Sequence, residues 1–77
     1  MVNTCHLSDR RLKENIIYVD TVNGFKRYKF NYNWDTTSLI GVIAQEVVKI
    51  MPEAVFQRGG FYGVDYSKLG FNMEIAT

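Results

Sequence analysis

The sequence predicts a small single α+β domain, with two hairpin-like strand pairs, a short central helix and a truncated C-terminal helix. Three observations carry this reading. Phe25 to Trp34 alternates along most of its length: Tyr28, Phe30, Tyr32 and Trp34 lie on one face, and Arg27, Lys29, Asn31 and Asn33 on the other. That is the period of a half-buried strand. Asn23-Gly24 and Gly59-Gly60 each separate two apolar runs, as hairpin turns do. Between these pairs the period changes. Ile43, Val47, Ile50 and Met51 share one helical face, with Gln45, Glu46 and Lys49 turned away.

Taken in order, Met1 to Leu7 has no periodicity and reads as an extended arm or an extra edge strand. Cys5 and His6 are adjacent, and adjacent strand residues point to opposite faces, so they do not form a thiol–imidazole pair. Ser8-Asp9 offers side-chain oxygens that cap a short helical turn. Ile16 to Val22 holds the β-branched residues Ile17, Val19 and Thr21 and reads as a strand. The aromatic strand follows, its aromatic face suited to a core or a subunit interface. Asp35 to Ser38 is a polar connector, and Leu39 to Ile43 a short buried strand around Gly41. The helix of Ala44 to Met51 stops at Pro52, because the residue before a proline avoids helical angles. Ala54 to Gln57 and Phe61 to Tyr66 form the second pair. Asp65 or Ser67 caps a last, brief helix holding Leu69, Phe71 and Ile75, weakened by Gly70.

With 77 residues, one domain is the ceiling, and 47% hydrophobic against 22% charged residues describes a folded chain rather than a disordered one. So short a chain buries only about 60% of its unfolded surface. One cysteine gives no internal disulfide, and no Cys/His cluster has zinc spacing, so neither staple is expected. Oligomerisation is the usual remaining remedy. A net charge of +1 gives no pull toward nucleic acid or membrane. The cations of the aromatic strand alternate away from its rings, unlike a single-strand nucleic-acid platform. No apolar run is long enough to span a bilayer, and the N-terminus lacks the apolar core of a signal peptide. A soluble, non-secreted product is expected, with no metal or cofactor. No paired carboxylates, phosphate loop or Ser/His/Asp set stands out.

The chemistry concentrates in Ser8 to Ile17, which sets a serine, an aspartate, two arginines and a lysine ahead of a paired isoleucine. Without context, Ser-Asp is a helix cap and the basic residues a solvated face. A serine hydroxyl needs a base to act as a nucleophile. A neutral lysine serves if burial or a nearby cation lowers its pKa, and Arg10 and Arg11 are candidate cations. Five positions along a regular helix or strand leave Ser8 and Lys13 on different faces. Their meeting requires a turn between them, or a lysine reaching a serine on a neighbouring subunit.

Five blocks in order resemble one family. Ser8-Asp9-Arg10-Arg11-Leu12-Lys13-Glu14-Asn15-Ile16 is similar to its opening motif Ser-Asp-x-Arg-Leu-Lys-x-Asn-Ile. Tyr28-Lys29-Phe30-Asn31-Tyr32 is similar to its aromatic strand, and Gly41-Val42-Ile43-Ala44-Gln45-Glu46-Val47 to its Gly-x-Ile-Ala-Gln-Glu-Val motif. Pro52-Glu53-Ala54-Val55 and Val64-Asp65-Tyr66-Ser67-Lys68-Leu69 are similar to its last two blocks. The family is the intramolecular chaperone of endosialidases and of phage tail spikes and fibres.

The resemblance implies a domain that helps three chains of a viral fibre register and fold, then cuts itself off before the motif serine with a serine–lysine dyad. Carried over, the catalytic residues are Ser8 and Lys13, the scissile bond is Leu7–Ser8, and Asp9 is the supporting aspartate. An N–O acyl shift and a direct hydrolysis both fit. Residues 1–7 become an arm upstream of the cut and residues 8–77 the chaperone domain. The implied partners are two further copies in a homotrimer and an upstream fibre or spike body as folding client. The implied place is the host cytoplasm during assembly, or the virion tail if the domain is retained. The alternative is a trimerisation cap that does not cut. A free-standing binding module is a third possibility. Relatives carry a longer C-terminal helix than the Gly70–Thr77 stretch present here.

Overall fold

Asn23 and Gly24 adopt φ of 52° and 84°. A two-residue hairpin turn of this kind requires left-handed angles at both positions. In the computed structural model, which describes residues 4–76, this turn folds β2 (Lys13–Val22) back onto β3 (Phe25–Tyr32). β4 (Leu39–Gly41) adds to the other side of β3 through Tyr28↔Gly41 and Phe30↔Leu39. β7 (Glu74–Ile75) closes this four-stranded antiparallel sheet, whose order is β2-β3-β4-β7. A second antiparallel sheet has the order β1-β6-β5, with β1 at Cys5–Leu7, β5 at Val55–Arg58 and β6 at Phe61–Asp65. The α+β class and both hairpins are as the sequence predicts.

One helix, α1 (Ala44–Ile50), joins the sheets and is followed by a 3-10 turn at Pro52–Ala54. Ala44 and Val47 lie in a buried core with Phe25, Val42, Ala54, Val64, Tyr66 and Leu69. The predicted helical face is displaced. Ile43 is the extended residue before the helix, so Ala44 and Val47 set the buried face. Ile50 consequently lies outside it, 59% exposed.

The C-terminal helix expected from the sequence is absent among the described residues. Asp65 does cap, accepting a hydrogen bond from the Ser67 N–H, but the result is a single 3-10 turn at Tyr66–Lys68. Gly70 then turns left-handed at φ 86°, and Asn23 Nδ2 donates to the Leu69 carbonyl at 3.0 Å. The chain leaves as β7 and pairs with the edge of β4 through Leu39↔Ile75. An open strand edge offers more hydrogen bonds than a short helix carrying a glycine.

The aromatic strand is cut short. β3 ends at Tyr32, and Trp34 lies beyond it, 63% exposed, its ring stacked on Tyr32 at 4.7 Å. Asn31, on the face expected to be polar, is buried. It accepts from Asn15 Nδ2 at 2.8 Å and donates to the Asp35 carbonyl at 2.9 Å. Asn15 has φ of 56°, within a register shift between Glu14 and Ile17, so a bulge in β2 brings these amides together.

Candidate active site

Ser8 follows the last residue of β1, and Lys13 is the first residue of β2. Between them the chain makes one 3-10 turn, Arg10–Leu12, capped by Asp9, whose side chain accepts from the Arg11 N–H at 2.9 Å. The turn is braced by the residue that follows β3: Asn33 N–H donates to the Leu12 carbonyl at 2.9 Å, and Asn33 Nδ2 to the Arg11 carbonyl at 3.0 Å. This irregular stretch solves the spacing problem within one chain. Lys13 Nζ stands 2.8 Å from Ser8 Oγ, with both side chains buried.

The backbone around Ser8 is fully engaged. Its N–H donates to the Tyr62 carbonyl at 3.0 Å, and its carbonyl accepts from the Ala44 N–H at 2.8 Å, at the start of α1. Its hydroxyl donates to the Val42 carbonyl at 2.6 Å, and Lys13 Nζ donates to that same carbonyl at 2.5 Å. Val42 is fixed in turn, because its N–H donates to the buried Tyr66 hydroxyl at 3.0 Å. Serine and amine therefore converge on one carbonyl, held by the segment between β4 and α1.

Burial lowers the Lys13 ammonium from an ordinary 10.5 to about 7, against the attraction of Asp9 and with a smaller push from Arg10. A charged amine loses more hydration than a neutral one when water is excluded. The Phe30 ring, 4.1 Å from Nζ, favours the ammonium as a cation–π partner. Desolvation is the larger effect. With the amine neutral, its lone pair can take the Ser8 hydroxyl proton while an N–H still reaches the Val42 carbonyl.

Asp9 does not touch the amine. It is fully buried and accepts from Arg11 Nε at 3.0 Å, Arg11 Nη2 at 2.9 Å, Gln45 Nε2 at 2.8 Å and the Tyr62 N–H at 3.0 Å. The Arg11 guanidinium, above all, holds this carboxyl well below the usual carboxylate range. Asp9 thus ties the turn to α1 and to β6. Arg11 is occupied here and over the Phe61 ring, and it is not the cation acting on Lys13. Arg10 keeps a minor part in that effect.

Sequence reasoning gave Gln45 and Glu46 no chemistry. Gln45 bridges Asp9 and the Arg10 N–H, which it accepts at 2.9 Å. Glu46 accepts from the Tyr28 hydroxyl at 2.9 Å and meets Arg10 at 3.5 Å. Two further groups were missed: the Val42 carbonyl, and Tyr32, whose hydroxyl donates to the Leu7 carbonyl at 2.5 Å. The aromatic strand and the Gly-x-Ile-Ala-Gln-Glu-Val block were the available signals for them, but not for their roles. Among the described residues, no group of His, Cys, Asp and Glu could hold a metal ion.

No curated protein and no solved structure gives a significant match to the chain. A family model described as chaperone of endosialidase, which also carries a peptidase designation, matches residues 8–56. The match begins on the serine whose hydroxyl meets the buried amine, and it runs through the aromatic strand and α1 that hold the pair. On that extent of agreement, the chain belongs to the chaperone of endosialidase family.

Proposed function

We propose that this chain is an intramolecular chaperone that promotes trimerisation and folding of a phage tail fibre or spike in the host cytoplasm. It then releases itself by cutting the Leu7–Ser8 bond, with Ser8 as nucleophile and Lys13 as general base. The observation that carries this reading is the buried 2.8 Å contact between Ser8 Oγ and Lys13 Nζ within one chain. Burial brings Lys13 to about 7, so a large fraction of the amine is neutral near neutral pH.

Neutral Lys13 takes the hydroxyl proton as Ser8 Oγ attacks the Leu7 carbonyl carbon. The Leu7–Ser8 amide then breaks, and its nitrogen takes the proton from the Lys13 ammonium. Leu7 is left esterified to Ser8 Oγ. Water hydrolyses that ester, giving a Leu7 carboxylate and a free Ser8 amine and hydroxyl. The attacking group is tethered beside its target, so no second molecule needs to be oriented for the first step.

Trimerisation is supported by apolar groups on the surface. Ile17 is 62% exposed on β2, next in sequence to exposed Tyr18 and Val19, and Trp34 is 63% exposed beyond β3. Large apolar side chains left this exposed suit burial between copies. Denaturing mass spectrometry of the purified chain tests the cut. A species beginning at Ser8 is expected from the wild type, with only intact chain from Ser8→Ala and Lys13→Ala. Normal cutting by Lys13→Ala would reject the dyad. An intact wild type that still forms trimers would leave the non-cutting cap in its place.

A further inference from the structure

The bond between Leu7 and Ser8 has a second neighbour besides the dyad. In the β1–β6 ladder, Tyr66 N–H donates to the Thr4 carbonyl at 2.9 Å and Ser8 N–H to the Tyr62 carbonyl at 3.0 Å. Antiparallel ladder bonds fall on alternate residues, so Leu7, opposite Gly63, directs its carbonyl away from β6. β1 is the outermost strand of its sheet, and such an edge carbonyl ordinarily faces water. Here it accepts from the Tyr32 hydroxyl at 2.5 Å. Tyr32 is the register partner of Lys13 across β2 and β3. One rung of the sheet therefore presents the amine to Ser8 Oγ and the phenol to the oxygen of the adjacent peptide bond.

Building on the proposed self-cleavage, we infer that Tyr32 is a catalytic residue whose hydroxyl stabilises the negative charge that develops on the Leu7 oxygen when Ser8 attacks. Attack moves the carbonyl π electrons onto that oxygen, and a donor already in place gains strength as the charge grows. Collapse of the intermediate returns the electrons to the carbonyl, so the phenol holds the charge without giving up its proton. Its ring is fixed by edge contact with Phe30 at 5.4 Å and by the Trp34 stack. Burial pushes the Tyr32 phenol up to about 12, so it remains a donor throughout the range in which neutral Lys13 works.

The test is the rate of appearance of the Ser8 species in the full chain. Tyr32→Phe keeps the ring and removes the donor. It is expected to cut about 10²- to 10³-fold more slowly, the usual consequence of losing one oxyanion donor. A second variant carries 3,5-difluorotyrosine at position 32, which preserves shape and makes the phenol more acidic. Its cleavage should be lost at alkaline pH as the fluorophenol ionises, in a range where the wild type still cuts. A merely structural tyrosine would not move that limb. Wild-type rates from Tyr32→Phe with an unaltered pH profile for the fluorinated chain overturn the inference, while Ser8→Ala still uncut leaves the dyad standing. A wild type that does not cut at Leu7–Ser8 removes both.

Discussion

At the scale of a residue, the site depends on the cost of burying one amine. Lys13 is protonated up to about pH 10.5 in an unfolded chain, and only up to about 7 once folded. Between those values the unfolded chain binds more protons, so stability rises with pH across that window. Below pH 7 both states are protonated and the full burial penalty remains, roughly 5 kcal/mol for a displacement of that size. Lys13→Met should therefore do two things together: abolish cutting and raise stability. Ser8 keeps its bond to the Val42 carbonyl in that variant, so no buried hydroxyl is orphaned. Denaturant midpoints should show the gain at pH 6 and a much smaller one at pH 10. In the wild type, the cutting rate should climb through an apparent pKa near 7 and then level. A variant less stable than wild type at pH 6 would mean that the ammonium is better satisfied by Ser8, Val42 and Phe30 than burial implies.

At the scale of elements, the β4–α1 segment sets the geometry of the pair, and Gly41 is its tightest point. A Cβ there would overlap the Tyr66 hydroxyl, which takes the Val42 N–H. Tyr66 is fully buried and has no room to swing aside. Gly41→Ala should cost about 2 to 4 kcal/mol, from overpacking plus one strained hydrogen bond, and should slow cutting by moving the Val42 carbonyl. Adding Tyr66→Phe removes the overlapping atom, so the double variant should lose less than the sum of the two singles in denaturant unfolding. This element also marks the limit of what the sequence discloses. Asn23-Gly24 and Gly59-Gly60 are local chemistry, so both hairpins were legible. The serine and lysine were legible as a motif, and the need for a turn between them followed from strand and helix periodicity. Gly41 suggested only a buried strand, because the atom it makes room for lies 25 positions downstream. The C-terminal helix was misjudged for a related reason: Asn23 and the β4 edge, both distant in sequence, redirect the chain after Leu69. Tyr32 read as core or interface because nothing local shows that a strand-edge carbonyl ends above it.

At the scale of the whole molecule, the proposed cut and the release it would allow are separable events. The Leu7–Ser8 bond lies where β1 joins the rest, yet β1 is held through its pairing with β6 at Cys5↔Asp65, His6↔Val64 and Leu7↔Gly63. Hydrolysis breaks none of those ladder bonds. Thr4 also stays tied to Asp65 through its hydroxyl at 3.0 Å, and the His6 ring stays edge-on to Tyr66 at 5.6 Å. Under the proposed cut, the new Leu7 carboxylate would form beside the Tyr32 donor and the new Ser8 ammonium, so opposite charges would face each other across the break. Native mass spectrometry at pH 8 should accordingly find the severed arm still bound, and denaturing spectra of the same sample should find it free. Three paired residues make a marginal hold on their own, so the arm should respond to small perturbations. Burial lowers the pKa of His6 while the arm is docked. An undocked His6 takes up a proton near its ordinary 6.5, so acid favours the undocked arm. Arm loss should therefore quicken as pH falls from 8 to 5, and His6→Phe, which keeps an aromatic edge against Tyr66, should weaken that dependence, leaving the part that Lys13 contributes. Arm loss that keeps pace with cutting at every pH would mean that the strand pair contributes no hold, and that breaking the bond is itself the release.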